Sequence, residues 1–382
     1  MGVLFTLFTM IVTILTVGVM IGITPYIVRR NIHFGVMLPE SANQLEITKK
    51  WKKQFLTWSI LLSALGATIM FIGFFLDLDE SAMMHYIAIS GIVAIAGMGI
   101  IQAVLYVCFH QRVKRFKREQ FTSEEVVRDA RIMVSTDFHQ QKPTVSNGWF
   151  ILVGGVIILV TAAFPFMVYD QIPDMVPVNW GFDYVRTFRE KTPWLFVAIP
   201  ALQLGMLAIF LFANYSFRKM KQVIRPQDAD HSVRQNIRFR QAISRFLLVM
   251  GIITLFVTGG VQFMMVLDVH NGLWIGIPGI GLGVVALVGS LYLTLRYGQG
   301  GERYKEKRSL EERHDGYQMV DDDEYWILGM IYYNPNDPAL FVETRFGMGS
   351  TFNMARPAAW LMVLGILAFV IVVTVISFMM VD

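Results

Sequence analysis

Apolar residues along this chain fall in blocks, not stripes. Eight nearly uninterrupted runs lie near 3–25, 55–76, 86–109, 149–169, 194–215, 246–267, 274–296 and 358–380. Each is about the length a helix needs to cross ~30 Å of hydrocarbon. The pattern predicts an all-α integral membrane protein with about eight transmembrane helices. Four regions follow from it: a three-helix membrane region over 1–145, a four-helix region over 146–297, a polar segment over 298–357, and a last helix over 358–382. The polar segment reads as a small β-hairpin-like insertion before the last helix.

The connectors alternate in charge. The first carries Arg29, Arg30, Lys49, Lys50, Lys52 and Lys53. The third carries Arg112, Lys114, Arg115, Lys117 and Arg118. The fifth carries Arg218, Lys219, Lys221, Arg225, Arg234, Arg238 and Arg240, and the seventh begins with Arg296, Arg303, Lys305, Lys307 and Arg308. The second, Asp77 to Glu80, and the sixth, Asp268 to Gly272, have neither Lys nor Arg. Basic loops stay cytosolic, so the odd connectors are expected inside and both termini and the mixed fourth connector outside. Trp51, Trp149, Trp194, Trp274 and Trp360 stand at span edges, where an amphipathic ring is at home.

Composition narrows the class. Hydrophobic residues make up 54% of the 382 residues and charged residues 16%, well away from a soluble domain. The net charge of +4 is divided among a few loops, so no nucleic-acid partner is expected. A single cysteine, Cys108, excludes an internal disulfide and reads as a small apolar residue near a helix end. The first span lacks a basic region before it and is too long for a cleavable signal. Met1-Gly2 with Thr6 formally fits a myristoylation pattern, but Gly2 opens a membrane span.

The spans offer little chemistry. Their notable polar groups are Gln102, Gln203 and Gln262, which interhelical hydrogen bonding explains. Coupled carriers keep ionisable groups or broken helices near the midplane. Here Pro165, Pro200 and Pro278 have no accompanying carboxylate. The Gly279-x-Gly281-x-Gly283 run lies inside an apolar span with no strand before it. It reads as a close helix approach, not a nucleotide loop. Gly347-Met-Gly349-Ser350 lacks the nucleophile-elbow pattern. Thr122-x-x-Glu125 reads as a capping box opening a short helix with Val126, Val127, Ala130 and Val134 along one face. The histidines show no metal-ligand spacing. Neither enzymatic activity, nor a cofactor, nor a metal is expected.

The fourth connector is the most distinctive stretch. Pro173 and Pro177 hold the chain extended, Val176 and Val178 alternate as in a short strand, and Asn179-Trp180-Gly181 turns. Arg186, Arg189 and Lys191 lead back to Pro193-Trp194. The grammar of Tyr169-Asp170-x-Ile172-Pro173-Asp174-x-Val176-Pro177, with Asn179-Trp180 and a downstream Lys191, resembles a domain of unknown function in bacterial multi-pass membrane proteins. That family includes the SdpI-type immunity proteins. Asn179 stands where a His is common, and Phe182-Asp183-Tyr184-Val185 replaces the usual Gly-x-Pro-Asp.

A second resemblance lies in the seventh connector. The run Trp326 to Pro338, then Phe341-Val342, Arg345-Phe346-Gly347-x-Gly349 and Asn353-x-x-Arg356-Pro357, is similar to another small bacterial domain of unknown function that usually precedes a last span. Physically it reads as one hairpin: an apolar run into the Asn334-Pro-Asn-Asp-Pro338 turn, then a strand from Leu340 to Thr344. Gly347 and Gly349 permit positive φ. The preceding Asp321-Asp322-Asp323-Glu324 lacks the glycine and glutamate of a calcium loop and reads as a solvated linker end. In the first connector, Asn31 to Pro39 with Trp51 loosely resembles the N-x-x-x-G-x-x-x-P…W segment of the SdpI signature, with Met37-Leu38 in place of Arg-Thr.

The resemblance implies a non-enzymatic protein of the bacterial plasma membrane that confers immunity to a membrane-active peptide or signals across the bilayer. It would meet a secreted peptide toxin outside through Asp170, Pro173, Pro177, Asn179, Trp180, Gly181, Arg186, Arg189 and Lys191. Inside, a soluble regulatory protein or anionic lipid would meet Tyr333, Asn334, Asp337, Arg345, Gly347, Asn353 and Arg356. A small-solute permease or exporter accessory with the three glutamines in a central cavity, and a scaffold subunit of a membrane complex, are the alternatives.

Overall fold

The computed structural model describes residues 2–39, 42, 45–76, 78–121, 143–180, 185–221, 229–304, 321–347 and 349–381. The expected Thr122–Glu125 capping box and its helix, and Gly181, lie outside the described residues, and the side chains of Asn179 and Arg186 are not described.

Each expected span corresponds to a long helix: α1 Gly2–Gly22, α2 Glu46–Ile72, α3 Glu80–Gln120, α4 Asn147–Met167, α5 Leu195–Lys219, α6 Ala229–Val266, α7 Leu273–Tyr297 and α8 Pro357–Val381. A helix satisfies its own backbone, which is what hydrocarbon demands. Over the described residues, the helices of 46–75, 85–120, 147–167, 195–219, 231–266 and 273–301 are long and apolar enough to cross a membrane. Shorter apolar helices cover 6–22 and 357–371. Local signals set several ends. Asp79 Oδ1 accepts from the Ala82 amide at 2.7 Å to open α3, and Ser146 Oγ accepts from Gly148 to open α4. Gly298, at φ 63°, closes α7.

The helices pack in two groups. α1, α2 and α3 form one, and α4 to α7 form the other, with α8 against α5. Small residues make the tight seam of the first group: a Cβ on Gly18 would fall 2.3 Å from Ser63, and one on Gly22 2.9 Å from Leu56 and Ser59. The close approach expected at Gly279 and Gly283 is absent. A Cβ on either would meet nothing within 4 Å, because that face of α7 is open. Gly205 is a better instance, since its Cβ would collide with Phe369 of α8.

The odd connectors meet at one end of the bundle and the even ones at the other. Three helices run beyond their apolar spans at the odd end: α2 begins at Glu46, α3 continues to Gln120, and α6 begins at Ala229. At 1.5 Å per residue, residues 110–120 of α3 extend roughly 16 Å past the apolar run. On this platform sit β1 (Ile32–His33) with β2 (Val36–Met37), β5 (Trp326–Ile327) with β6 (Ile331–Tyr332), and β7 (Phe341–Glu343) with β8 (Ser350–Phe352), all antiparallel. The far end carries the remaining hairpin, β3 (Met175–Trp180) with β4 (Val185–Glu190).

The seventh connector therefore differs from the single hairpin expected. The strand at 341–343 exists, but its partner is 350–352 across the Gly347–Gly349 turn, and the apolar run folds back on itself through Leu328 and Gly329. A parallel bridge from Tyr332 to Asn353 joins the two hairpins. The reason is local: positive φ at Leu328 (51°) and Gly329 (68°) turns the chain before it reaches the proline-rich stretch.

Candidate functional site

At the far end, β3 and β4 are fixed to the bundle by three anchors. Val176 is fully buried with Ile172, Phe196, Ile199 and Met265, which draws β3 onto the ends of α5 and α6. The Trp180 indole Nε1 donates to the Val269 carbonyl at 2.7 Å, joining the fourth connector to the sixth. Lys191 Nζ donates to the Ile172 carbonyl at 2.7 Å and lies 5.1 Å from the centre of the Tyr169 ring, while its backbone amide donates to the Asp174 carbonyl. Pro177 is buried. Asp170 and Pro173 are exposed, and Arg189 is half-buried.

β3 packs against α6 and α8, so β4 forms the outward strand. The hairpin is a two-stranded sheet among the described residues, and no third strand pairs with β4. Beside β4 runs a cleft of 470 Å³ lined by Arg189, Glu190, Thr192, Trp194 and Leu195. Trp194 is 80% exposed there, and Phe188 stands edge-on to His270 with ring centres 5.8 Å apart. His270 Nε2 is 2.9 Å from Asp268 Oδ1. The strand edge offers backbone donors and acceptors, and the cleft adds one cation, one anion and an aromatic face.

At the other end the expected contact residues turn inward. Arg345, 3% exposed on its side chain, donates to Asp322, to Asp323 and to the Gly35 carbonyl, and its guanidinium lies 4.9 Å over the Trp326 ring. Lys117 of α3 donates to Asp321 at 2.5 Å and to Asp323 at 2.6 Å. Asp323 also accepts from the Met37 amide. The acidic run is thus no solvated linker end. It is the joint between α3, the first connector and the seventh. Burial alone would push the Asp323 carboxyl up, but Arg345 and Lys117 outweigh it and hold it below the usual carboxylate range.

A second joint ties Arg29 to Glu343, with Nε to Oε1 at 2.7 Å and Nη2 to Oε2 at 2.5 Å. A third ties Lys221 to Asp337 at 2.7 Å, and Asp337 also accepts from the Tyr332 hydroxyl. Asn353, fully buried, is the hub of the unit: its amide group donates to the carbonyls of Asn334 and Asp337 and its oxygen accepts from the Asn334 amide. Arg356 caps the Pro335 and Asp337 carbonyls. Gly347 supplies a turn at φ 78°. Of the seven inner residues singled out in the sequence, Tyr333 alone is a large side chain well exposed, at 48%.

Sequence reasoning passed over Arg29, Glu343, Lys117 and the acidic run as one constellation. The available signal was charge balance: a chain whose odd connectors are basic carries four consecutive acids in one of them. The three glutamines do not converge. Gln203 donates to the Leu255 carbonyl and Gln262 to the Phe196 carbonyl, both at 2.8 Å within the second helix group, whereas Gln102 belongs to α3 in the first.

The β-rich unit before α8 also carries a likeness to known sequences. Residues 335–360 match a family of unknown function (DUF5808). The match starts beside the Asn334 turn, passes through β7 and β8 and ends in the first turn of α8. Over this stretch the chain is similar to a small domain of unknown function, in a protein of membrane-spanning type. Comparisons with curated proteins and with solved structures returned no match.

Proposed function

We propose that this chain is a non-enzymatic, eight-span protein of the bacterial plasma membrane, of the SdpI-like class, that protects its cell from a secreted membrane-active peptide. The basic, odd-connector end faces the cytosol and the β3–β4 hairpin faces out. The observation that carries this reading is the cleft beside β4, a strand with one edge unpaired among the described residues, anchored on the helix ends. An extended peptide adds to such an edge through main-chain hydrogen bonds, and side-chain pockets select the sequence. Arg189 and Glu190 supply charge selection, and Trp194 supplies an aromatic anchor near the interface.

Burial supports a shift of emphasis among the residues of the fourth connector. Trp180, Pro177 and Lys191 hold the hairpin, and the contact role moves to Arg189, Glu190, Thr192 and Trp194. Protection is measured as survival of a deletion strain carrying each variant under challenge with secreted peptides. Arg189→Glu combined with Trp194→Ala abolishes protection at unchanged membrane abundance. Full protection by that double variant at normal abundance would sink the assignment.

A further inference from the structure

A groove separates the two helix groups on the membrane-embedded flank. Its volume is 490 Å³, and it is lined by Met20 of α1, Phe210 of α5, Phe246 and Met250 of α6, and Gly283 and Ser290 of α7, among others. Its wall is apolar and flexible, with methionines that adapt to an irregular occupant. A Cβ on Gly283 would meet nothing within 4 Å among the described residues, so this side is open.

The end of the groove toward the odd connectors is closed by charge. Tyr26 lies six residues past Met20, about 9 Å further along the same direction, and Tyr297 lies seven past Ser290, about 10 Å further. Arg303 bridges these two points. Its backbone amide donates to the Tyr297 carbonyl at 2.9 Å, and its guanidinium donates to the Tyr26 carbonyl. Lys52 stands one helical turn before Leu56, which packs on Gly22. Lys52 and Arg303 thus bring two cations to this rim, beside Glu302, which accepts from the Arg30 amide. The hydrocarbon slot thus runs toward two cations with one carboxylate beside them.

We propose that this groove binds one anionic phospholipid, with an acyl chain along Met20, Met250 and Gly283 and the phosphate between Lys52 and Arg303. The chemistry matches at both ends: the slot excludes a charged or polar occupant, and the rim favours an anion. A soluble phosphate has no use for the slot, and a zwitterionic lipid brings a cation to a rim that already has two. The site lies at the opposite end from the β3–β4 cleft and does not depend on the peptide-immunity reading.

Native mass spectrometry of the delipidated full chain, titrated with phosphatidylglycerol or phosphatidylcholine of matched chains, tests it. One retained lipid is expected, with about a fivefold preference for phosphatidylglycerol, the scale of one net cation at the interface. Lys52→Gln with Arg303→Gln removes the preference and keeps a lipid. Gly283→Phe, which enters open space and leaves helix packing intact, removes the retained lipid altogether. A photoactivatable phosphatidylglycerol labels the peptides of Met20 and Met250 in wild-type protein, a readout independent of variant folding. Equal retention of both lipids, retention unchanged by Gly283→Phe, labelling spread evenly over the helices, or displacement by inorganic phosphate would each overturn the proposal.

Discussion

Arg29 and Glu343 form a bidentate ion pair, side chains 5% and 6% exposed, across 314 residues of chain. The pair fastens the exit of α1 to β7, and Lys221–Asp337 fastens the same unit to the exit of α5. The β-rich unit before α8 therefore clamps the first helix group to the second.

Removing one partner of a buried pair strands the other, at a cost of about 3–5 kcal/mol. Glu343→Gln or Arg29→Ala is accordingly expected to lower the unfolding midpoint in detergent by several degrees. Replacing both with Met should recover most of the loss. Equal midpoints for the single and double variants would show that the pair is not the unit of stability.

Arg345 makes a different demand. Its planar fork serves two carboxylates and the Gly35 carbonyl at once while stacked on Trp326. A lysine keeps the charge and loses the fork and the stacking. Arg345→Lys should destabilise by about 1–3 kcal/mol and increase hydrogen exchange at 32–37 and 322–327 together. Exchange rising in one segment alone would refute the shared joint.

The carboxyls of Asp323 and Asp337 lie below their ordinary range: burial raises both, but Arg345 and Lys117 outweigh it at Asp323, and Lys221 with the Ala339 amide and the Tyr332 hydroxyl outweighs it at Asp337. A depressed folded-state pKa contributes stability above the unfolded value of about 3.9, and that contribution is lost as pH falls through the lower folded value. The clamp should hold from pH 7 to about 5 and weaken below about 4. Proteolytic release of the 321–356 unit against pH checks this, and Asp323→Asn should flatten the curve. A clamp that opens as pH rises would have the wrong sign.

Gly35 and Gly329 meet backbone to backbone. A Cβ on Gly35 would fall 2.5 Å from the Gly329 Cα, and both residues have positive φ, 77° and 68°. Gly35→Ala is expected to cost about 1–3 kcal/mol through strain and collision. Thermal unfolding of that variant beside Gly97→Ala, where a Cβ meets nothing within 4 Å, separates this contact from a general glycine effect.

Trp180 is an anchor by geometry. Trp180→Phe keeps the ring and removes the bond to the Val269 carbonyl, so it should cost about 1 kcal/mol and raise exchange over 175–180. An unaltered exchange profile would leave the hairpin held by Val176 and Lys191 alone.

The long apolar blocks made the helices legible, because an uninterrupted apolar run of about 20 residues fits a self-satisfied helix and not an alternating barrel strand. The alternation of charge anticipated which connectors meet, and Trp180–Val269 and Arg29–Glu343 join loops of the matching class. Short strands were harder. β7 was visible in Phe341-Val342, but its partner was not, since three residues of alternation fit many registers and the Gly347–Gly349 turn decides among them. The inward turn of Arg345, Asn353 and Asp337 was hidden for a related reason: polar residues in a polar connector read as surface. Their burial follows from α3 and α6 running past their apolar spans, and nothing in the loop itself signals that. The Gly279 and Gly283 spacing misled because a small-residue motif records permission for contact, not the presence of a partner.

The clamp also sets an order of manufacture. Arg29 and Lys117 leave the ribosome 314 and 204 residues ahead of Glu343 and Asp321. At 5–20 residues per second, the wait for Glu343 lasts roughly 15–60 s. Until its partner is made neither cation has its carboxylate, and on the proposed topology both add to the basic charge that would hold the first and third connectors in the cytosol. When residues 321–356 emerge, the same charges become the lock. On the proposed topology one set of side chains would direct insertion first and assembly afterwards, and a substitution at Glu343 should leave the first direction of threading intact while failing to join the halves.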